Sequence, residues 1–284
     1  MFTPIVYALP FPNISPIFLS IGPLKIYWYG LGYFIGIIFA WWYAIRLLKR
    51  PLLWPENTPA LKPEKIGDFV VWAVIGILIG GRLGNVLIWE PAYYWHHPSE
   101  IFARAGMAFH GGFLGLAIAI ILFSRKNKIN VWNMCDLIAA GAPIGIGLVR
   151  LCNFINSELW GRVTTMPFGV YFPNGGPLPR HPSQIYEAFM EGFLLFIILY
   201  FLIFSYNALK KPGFTAGAFM FFYGIARIIG EIFRNPDPAP EWFTNSLAHF
   251  GITYGMFLSY PLLLVGSIFM IKGYLKNKMT RNDA

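Results

Sequence analysis

Three arginines, Arg82, Arg150 and Arg227, lie inside long apolar stretches of this 284-residue chain. Asn153 follows Arg150 by three residues and Glu231 follows Arg227 by four, so each pair shares one face of a helix. A charged residue inside a membrane costs about 2.5 kcal/mol or more, and such residues normally face a bundle interior or a water-filled cavity. Because guanidinium groups bind phosphate through paired hydrogen bonds, several of them together indicate a site for an anion such as a phospholipid phosphate.

The anion could also come from the protein itself. Glu158, Glu187 and Glu231 lie in or beside the same stretches, and buried arginine–glutamate pairs exist as purely structural features. For any one arginine the sequence leaves both interpretations open. Three arginines at comparable positions favour an external anion.

The apolar composition shows which elements must position these residues. The chain is 56% hydrophobic, 18% aromatic and only 12% charged, which is too apolar for an ordinary soluble domain. Seven apolar stretches have the roughly 17 to 22 residues that are needed to cross about 30 Å of hydrocarbon. They cover about 26–47, 69–88, 107–123, 136–156, 185–206, 214–233 and 252–271. We therefore predict an all-α polytopic membrane protein, with residues 1–284 forming a single integral membrane domain.

The distribution of basic residues predicts how the helices are oriented. Of the 22 lysines and arginines, 14 follow the first, third, fifth and seventh predicted helices. Because basic residues collect in short cytoplasmic loops, the N-terminus is predicted to lie outside and the C-terminus in the cytoplasm. The net charge of +9 then belongs mainly to the cytoplasmic face and does not indicate nucleic-acid binding. Extended outer loops are predicted at about 89–106, 157–184 and 234–251.

This orientation places the polar residues of the helices at one level. Helices two, four and six run outwards, which puts Arg82, Arg150 and Arg227 in the outer half of the membrane. Helices one and three run inwards, so Tyr29 and His110 lie near their outer ends. The inner halves of helices three and five consist of plain Leu, Ile and Phe. This asymmetry favours a one-sided site over a transport path, which usually has polar residues at several depths.

Other local patterns exclude several classes of protein. Cys135 and Cys152 lie 17 residues apart on one predicted helix, which is about 25 Å and beyond disulfide reach. The HExxH, GxSxG, CxxC, Walker and GxGxxG patterns are missing, so neither a metal nor a nucleotide cofactor is indicated. Two pairs of small residues at a spacing of four predict close helix packing: Gly76 with Gly80, and Gly111 with Gly115.

Five stretches, spread from the first helix to the loop after the sixth, resemble one family of membrane enzymes. They are YWYG at 27–30, HGGFLG at 110–115, RLCNFINSELWG at 150–161, RHPSQIYEA at 180–188 and YGIARIIGEIFRNPD at 223–237. In this order they resemble the prolipoprotein diacylglyceryl transferases of the bacterial inner membrane. Two positions depart from that family's pattern: Val149 stands where the family has Gly, and Cys152 where it has Gly or Ala. Both changes affect packing volume more than polar chemistry.

The resemblance implies a multi-pass enzyme of the bacterial inner membrane that catalyses the first step of lipoprotein maturation. The diacylglyceryl group of phosphatidylglycerol would pass to the thiol of a lipobox cysteine in a prolipoprotein, which forms a thioether and releases glycerol phosphate. This chemistry requires charge stabilisation on the phosphate and a deprotonated thiol, whose ordinary pKa is about 8.5. The implied partners are phosphatidylglycerol, prolipoprotein signal peptides and membrane lipids, with no cofactor and no nucleic acid.

The resemblance also implies roles for the charged residues. Arg150 and Arg227 would hold the phosphate and neutralise the charge that develops on it, with Glu231 orienting Arg227. His110 is the candidate base, because histidine side chains titrate near neutral pH. A packing role for His110 stays open, since the thiol proton could pass instead to water or to the phosphate.

Further residues of the same stretches are expected near the lipid. Tyr29 and Asn153 would hydrogen-bond the headgroup or the leaving oxygen, and Gly161 would allow close approach of the backbone. The expected supporting residues are Glu158, His181 and Tyr223. Two other functions stay open: a lipid or anion transporter, and a membrane scaffold with structural ion pairs. In a scaffold, replacement of the arginines would harm stability and function together.

Overall fold

The computed structural model describes residues 8–102, 106–244 and 246–282, and these are mainly helical. Residues 103–105, which belong to the first predicted outer loop, lie outside the described ranges. The long helices are α1 Trp28–Leu48, α2 Ile66–Gly84, α3 Phe109–Lys126, α4 Val131–Ile155, α5 Ser183–Ser205, α6 Phe214–Phe233 and α7 Tyr254–Asn282. Wider helical turns extend α2 over Asn85–Trp89 and occupy Ala188–Leu194 within α5.

Among the described residues, six helices are long and apolar enough to cross a membrane. They are Trp28–Leu48, Pro63–Ile88, Val131–Ile155, Ser183–Ser205, Phe214–Phe233 and Tyr254–Leu275. The prediction of an all-α membrane protein is thereby confirmed. The predicted stretch at 107–123 forms α3, a helix of 18 residues that is not among the six. α4 begins at Val131 rather than at 136, because the Asn130 side chain caps it by accepting a hydrogen bond from the Trp132 amide at 2.9 Å.

Short elements lie between the long helices. β2 Ile17–Ile21 and β3 Leu24–Tyr27 form an antiparallel hairpin before α1. β1 Leu9–Pro10 pairs in parallel with β4 Val170–Tyr171, so the beginning of the described chain is attached to the loop after α4. Two short helices, Pro91–His96 and Glu241–Thr244, lie in the loops that follow α2 and α6.

Glycines allow α2 to pack directly against the backbone of α3. A Cβ placed on Gly76 would lie 2.6 Å from the carbonyl oxygen of Gly115, and one on Gly80 would lie 2.8 Å from the Gly115 Cα. Gly84 approaches Gly111 in the same way, at 2.8 Å. In a membrane such contacts stabilise a helix pair by van der Waals packing, because lipid is as apolar as the side chains. The close packing that the sequence predicted at these glycines is confirmed.

Close packing also joins α1 to α4. A Cβ on Gly36 would lie 2.8 Å from the Gly145 Cα, and one on Gly32 would lie 2.8 Å from the Sγ atom of Cys152. The Cys152 thiol donates a hydrogen bond to the backbone carbonyl of Trp28 at 3.2 Å. The bulkier Cys152 is therefore accommodated by Gly32, and the departure from the family pattern leaves the two helices in contact.

The helices α4, α5 and α6 form the centre of the bundle. Five side chains there are at most 1% exposed: Leu137, Leu195, Leu199, Ile203 and Ala218. The loop between α4 and α5 folds back onto the end of α6, where the Arg162 amide donates to the Phe233 carbonyl at 2.8 Å. An isolated β-bridge between Gly161 and Arg234 continues this contact. The end of α4, the start of α5 and the end of α6 are thus held together.

Candidate active site

Arg150 of α4 lies against two glutamates of α5. Its Nε donates a hydrogen bond to Oε2 of Glu191 at 3.0 Å, and its Nη2 lies 2.9 Å from the same oxygen. Its Nη1 lies 3.1 Å from Oε2 of Glu187. One arginine reaches both carboxylates because residues four apart on a helix are neighbours. The Arg150 side chain is 16% exposed.

Arg227 and Arg234 bring α6 to the same glutamates. Nη2 of Arg227 lies 2.5 Å from Oε1 of Glu231, whereas its Nη1 lies 3.6 Å from Glu187 and 4.0 Å from Glu191. Arg234 contacts Glu187 through Nη1 at 3.3 Å. Within the described ranges, the Nη1 atom of Arg227 is buried and has no hydrogen-bond partner. Arg227 therefore retains a donor that none of its glutamate neighbours satisfies.

These six side chains form an arginine–glutamate cluster: Arg150, Arg227, Arg234, Glu187, Glu191 and Glu231. The three carboxylates are 0–1% exposed, and three positive side chains face them. A buried charge without a partner costs several kcal/mol, so each side of the cluster makes the burial of the other possible. Pairing within the protein, one of the two interpretations that the sequence left open, therefore occurs at Arg150 and Arg227.

Three members of the cluster were not among the predicted site residues: Glu187, Glu191 and Arg234. The sequence indicated Glu187 only as a possible partner of the arginines within the protein. Glu191 follows Glu187 by four residues, which places both on one face of α5. Arg234 was counted only as a basic residue of the outer loop, because it follows the last apolar residue of α6. Its hydrogen bonds to Glu187 and Asp237 show that it belongs to the site as much as to the loop.

A second polar group lies one turn further along α4. Asn153 donates from Nδ2 to Oε1 of Glu158 at 2.8 Å and also donates to the hydroxyl of Tyr29. The Tyr29 hydroxyl donates in turn to the same oxygen of Glu158. We call Tyr29, Asn153 and Glu158 the tyrosine–asparagine–glutamate group. It joins α1, α4 and the loop after α4.

Gly161 and His181 hold that loop against α6. The Gly161 amide donates to the His181 carbonyl at 2.9 Å, and a Cβ on Gly161 would lie 2.5 Å from the Phe233 carbonyl oxygen and 2.6 Å from the His181 Cβ. The close approach at Gly161 is therefore to other backbone of the protein. Nδ1 of His181 lies 3.3 Å from the hydroxyl of Tyr186. Burial lowers the pKa of His181, which favours its neutral form.

Tyr223 lies one turn before Arg227 on α6. Its ring stacks on Phe219 with 5.8 Å between the centroids. It is close enough to Arg150, Arg227 and Glu191 to interact with them electrostatically. The structure thus brings Tyr223 to the arginine–glutamate cluster, together with Arg150, Arg227 and Glu231.

Arg82 has partners of another kind. Its guanidinium group donates to the backbone carbonyls of Glu100 and Gly106, both at 3.0 Å, and also to that of Ile101. It also lies 5.1 Å from the ring centroid of Tyr94. The loop after α2 supplies these acceptors, so Arg82 does not need an external anion to be satisfied.

His110 lies in the first turn of α3, and its side chain is exposed. The helix that carries it packs along α2, whereas α4, α5 and α6 carry the arginine–glutamate cluster. α3 also contacts α4, the helix that carries Arg150. In the part of the chain that the structure describes, no group of three or more His, Cys, Asp or Glu is arranged to hold a metal ion.

A bundle of apolar helices with a buried arginine–glutamate cluster defines a polytopic membrane protein with a polar site inside the bundle. The chain belongs to the prolipoprotein diacylglyceryl transferase family, whose model matches residues 16–272. This match confirms the resemblance that the five sequence stretches indicated.

Several relatives are similar along almost their entire length. A protein of Bartonella tribocorum named phosphatidylglycerol–prolipoprotein diacylglyceryl transferase is 55% identical over 280 residues, which is 97% of this chain and 96% of the relative. A protein of the same name from Bartonella quintana is 56% identical over 279 residues, 97% of this chain and 95% of the relative. A protein of the same name from Brucella anthropi is 54% identical over 261 residues, which is 91% of this chain and 92% of the relative.

Proposed function

We propose that this protein transfers the diacylglyceryl group of phosphatidylglycerol to the lipobox cysteine of a prolipoprotein. Family membership and the names of the relatives, which include both phosphatidylglycerol and prolipoprotein, support the two substrates. The observation that carries the choice of site is the convergence of Arg150 and Arg227, from different helices, on Glu187 and Glu191. Both arginine side chains stay partly exposed, at 16% and 13%.

Two arginine side chains that share glutamate partners and are each partly exposed suit a lipid phosphate. Each guanidinium has five N–H donors, and the contacts with glutamate use only part of them. The two arginines would then neutralise the charge that grows on the phosphate as glycerol phosphate leaves.

The glutamates would keep the guanidinium groups oriented before the lipid binds. Glu191 holds the Nε and Nη2 edge of Arg150, and Glu231 holds Nη2 of Arg227 at 2.5 Å. Charges that are fixed in advance stabilise a transition state without reorganising during the reaction. We therefore assign the carboxylates to positioning and the arginines to phosphate binding.

The thiol must lose its proton, because the thiolate is the attacking form. Its sulfur forms a bond to the glyceryl carbon while the bond from that carbon to the phosphate oxygen breaks, and glycerol phosphate leaves with the electron pair. We assign the proton to His110, whose exposed side chain in the first turn of α3 is accessible to a peptide. If the phosphate or water takes the proton instead, His110 has only a packing role.

The tyrosine–asparagine–glutamate group would bind the glycerol headgroup. Glycerol hydroxyls both donate and accept hydrogen bonds, and the group offers a carboxylate acceptor and an amide donor. Asn153 lies three residues after Arg150, so the headgroup and phosphate subsites adjoin on one face of α4. Gly161 and His181 would support this arrangement by holding the loop that carries Glu158.

We further propose that all seven long helices cross the membrane as one integral domain over residues 1–284. α3 packs along α2 through glycine contacts, so a membrane-spanning α2 favours a spanning α3. The alternation of basic residues then places the N-terminus in the periplasm and the C-terminus in the cytoplasm of a bacterial inner membrane. The arginine–glutamate cluster would lie in the outer leaflet, where a lipobox cysteine of a secreted precursor can reach it.

Mass spectrometry of a peptide substrate tests the reaction. Purified protein in micelles containing phosphatidylglycerol is incubated with a lipobox peptide bearing one cysteine, and separately with the same peptide bearing serine. We expect a diacylglyceryl mass gain on the cysteine peptide alone, with one glycerol phosphate released per modified peptide. A transporter or a scaffold would modify neither peptide, so a folded protein that gives no mass gain would contradict the proposal.

A further inference from the structure

Asp136 is a fully buried aspartate near the start of α4, at the opposite end of that helix from Arg150. Its Oδ2 accepts a hydrogen bond from the Gly213 amide at 2.7 Å, and its Oδ1 accepts one from the Ala216 amide at 2.8 Å. Both amides belong to the start of α6, where backbone N–H groups have no partner within the helix. Asp136 therefore caps α6 from a different helix.

The residue that precedes α6 does not supply this cap itself. Gly213 has no side chain and adopts a φ of 89°, in the left-handed region that glycine tolerates. An aspartate or serine in place of Gly213 would satisfy the Ala216 amide without fixing a neighbouring helix. Asp136 can satisfy them only while α4 and α6 keep one relative height. The contact thus caps α6 and also fixes the position of α6 along the axis of α4.

The same two helices carry Arg150 and Arg227, each the same number of residues after the Asp136–Gly213 contact. Arg150 lies 14 residues after Asp136, and Arg227 lies 14 residues after Gly213. Each interval is about 21 Å along an α-helix. The helices run in the same direction, because their first turns meet at Asp136 and their later turns meet through Glu187. A shift of α6 by one turn would move Arg227 by about 5.4 Å relative to Arg150.

We propose that Asp136 is a positioning residue that sets the height of Arg227 relative to Arg150, and so the spacing of the two phosphate-binding groups. The proposal rests on the proposed function, in which these arginines hold the lipid phosphate. Charge-assisted hydrogen bonds to the start of a helix stabilise a buried carboxylate. Sliding of α6 would leave that carboxylate and two amides without partners, which is unfavourable in an apolar interior. The contact therefore defines one register rather than a range of them.

Three variants test this role. Asp136→Ala removes both acceptors, and Asp136→Asn keeps one acceptor oxygen in the same shape. Leu137→Ala removes a buried apolar side chain from the next position of α4 and serves as the destabilised control. The concentrations of phosphatidylglycerol and lipobox peptide are varied separately, and turnover is expressed per folded molecule.

We expect a loss of catalytic efficiency that affects the lipid substrate and not the peptide. Asp136→Ala should raise KM for phosphatidylglycerol and lower kcat, so that kcat/KM for the lipid falls at least tenfold while KM for the peptide changes less than twofold. Asp136→Asn, which keeps one of the two acceptors, should recover only part of this loss. Leu137→Ala should lower the yield of folded protein and leave both KM values unchanged. Hydrogen exchange at residues 213–216 should be faster in Asp136→Ala than in the wild type.

Several results would overturn the proposal. Unchanged kcat/KM for the lipid in Asp136→Ala would do so, as would the same kinetic change in Leu137→Ala. A wild-type protein without transfer activity would defeat the proposed function. The hydrogen-exchange measurement does not depend on activity. Unchanged exchange at residues 213–216 in Asp136→Ala would show that Asp136 does not protect these amides.

Discussion

Arg150 and Glu191 meet through one carboxylate oxygen, with Oε2 of Glu191 3.0 Å from Nε and 2.9 Å from Nη2 of the arginine. The pair joins α4 to α5 and at the same time fixes the orientation of the guanidinium group. Glu191 is fully buried, so its charge depends on Arg150 as much as Arg150 depends on Glu191. Under the proposed function, stability and lipid binding are therefore coupled at this contact.

Replacement of Glu191 by glutamine should lower the stability of the protein and weaken its binding of phosphatidylglycerol. Glutamine keeps the shape but removes the charge, and breaking one side of a buried ion pair costs about 3–5 kcal/mol. We expect a lower thermal midpoint and a higher KM for phosphatidylglycerol. Glu64→Gln, at an exposed position before α2, is the matched control. A wild-type midpoint and KM in Glu191→Gln would show that Arg150 does not need this carboxylate.

Replacement of Tyr29 by phenylalanine tests the headgroup subsite. It removes the hydroxyl that donates to Glu158 and accepts from Asn153, which leaves polar groups without a partner at a cost of about 1–3 kcal/mol. We expect kcat/KM for phosphatidylglycerol to fall at least tenfold. Tyr33→Phe is the control, because Tyr33 stacks on Tyr29 at 6.3 Å and keeps its ring in that variant. Equal activity of the two variants would exclude a role for the Tyr29 hydroxyl.

Replacement of Gly161 by alanine should disturb the loop after α4. The new Cβ would lie 2.5 Å from the Phe233 carbonyl oxygen and 2.6 Å from the His181 Cβ, so backbone on one side must move. We expect lower thermal stability, by about 1–3 kcal/mol as in other overpacked sites, and reduced transfer. Gly30→Ala is the control, since no atom lies within 4 Å of its added Cβ. Identical melting of the two variants would contradict the close packing at Gly161.

Replacement of His110 by glutamine separates the two routes for the thiol proton. If His110 is the base, the variant lacks the group that accepts the thiol proton. A general base contributes about 10²–10⁴-fold to the rate, so turnover of the folded variant should fall by that order. His249→Gln, at an exposed position before α7, is the control. Near-normal turnover of His110→Gln would remove the base role.

Much of the fold could be predicted because membranes impose simple rules on sequence. Apolar length identified the helices, and glycines four residues apart identified the α2–α3 contact, which is set by local spacing. Helix ends were less certain: α4 extends to Val131 because Asn130 caps it, a contribution that apolar length does not report. Which helices are neighbours depends on packing between distant segments. The sequence of a single helix does not reveal its neighbours.

In the site, too, relationships within one helix could be predicted from the sequence, and contacts between helices could not. Spacing on one helix predicted that Asn153 shares a face with Arg150 and that Glu231 shares one with Arg227, where the structure has an ion pair at 2.5 Å. The partners from α5 are long-range, so Glu191 was missed. Arg82 resembled the other arginines in sequence, yet the carbonyls of its own loop satisfy it.

Transfer by variants of Arg150, followed by mass spectrometry of the lipobox peptide, tests most directly whether this arginine holds the lipid phosphate. Arg150→Lys keeps the charge but loses the paired N–H donors. We expect Arg150→Ala to give no mass gain and Arg150→Lys to lose more than tenfold in kcat/KM for phosphatidylglycerol, with both variants folded. Arg125→Lys, exposed at the end of α3, should match the wild type. Transfer near the wild-type rate by folded Arg150→Ala would contradict phosphate binding by Arg150.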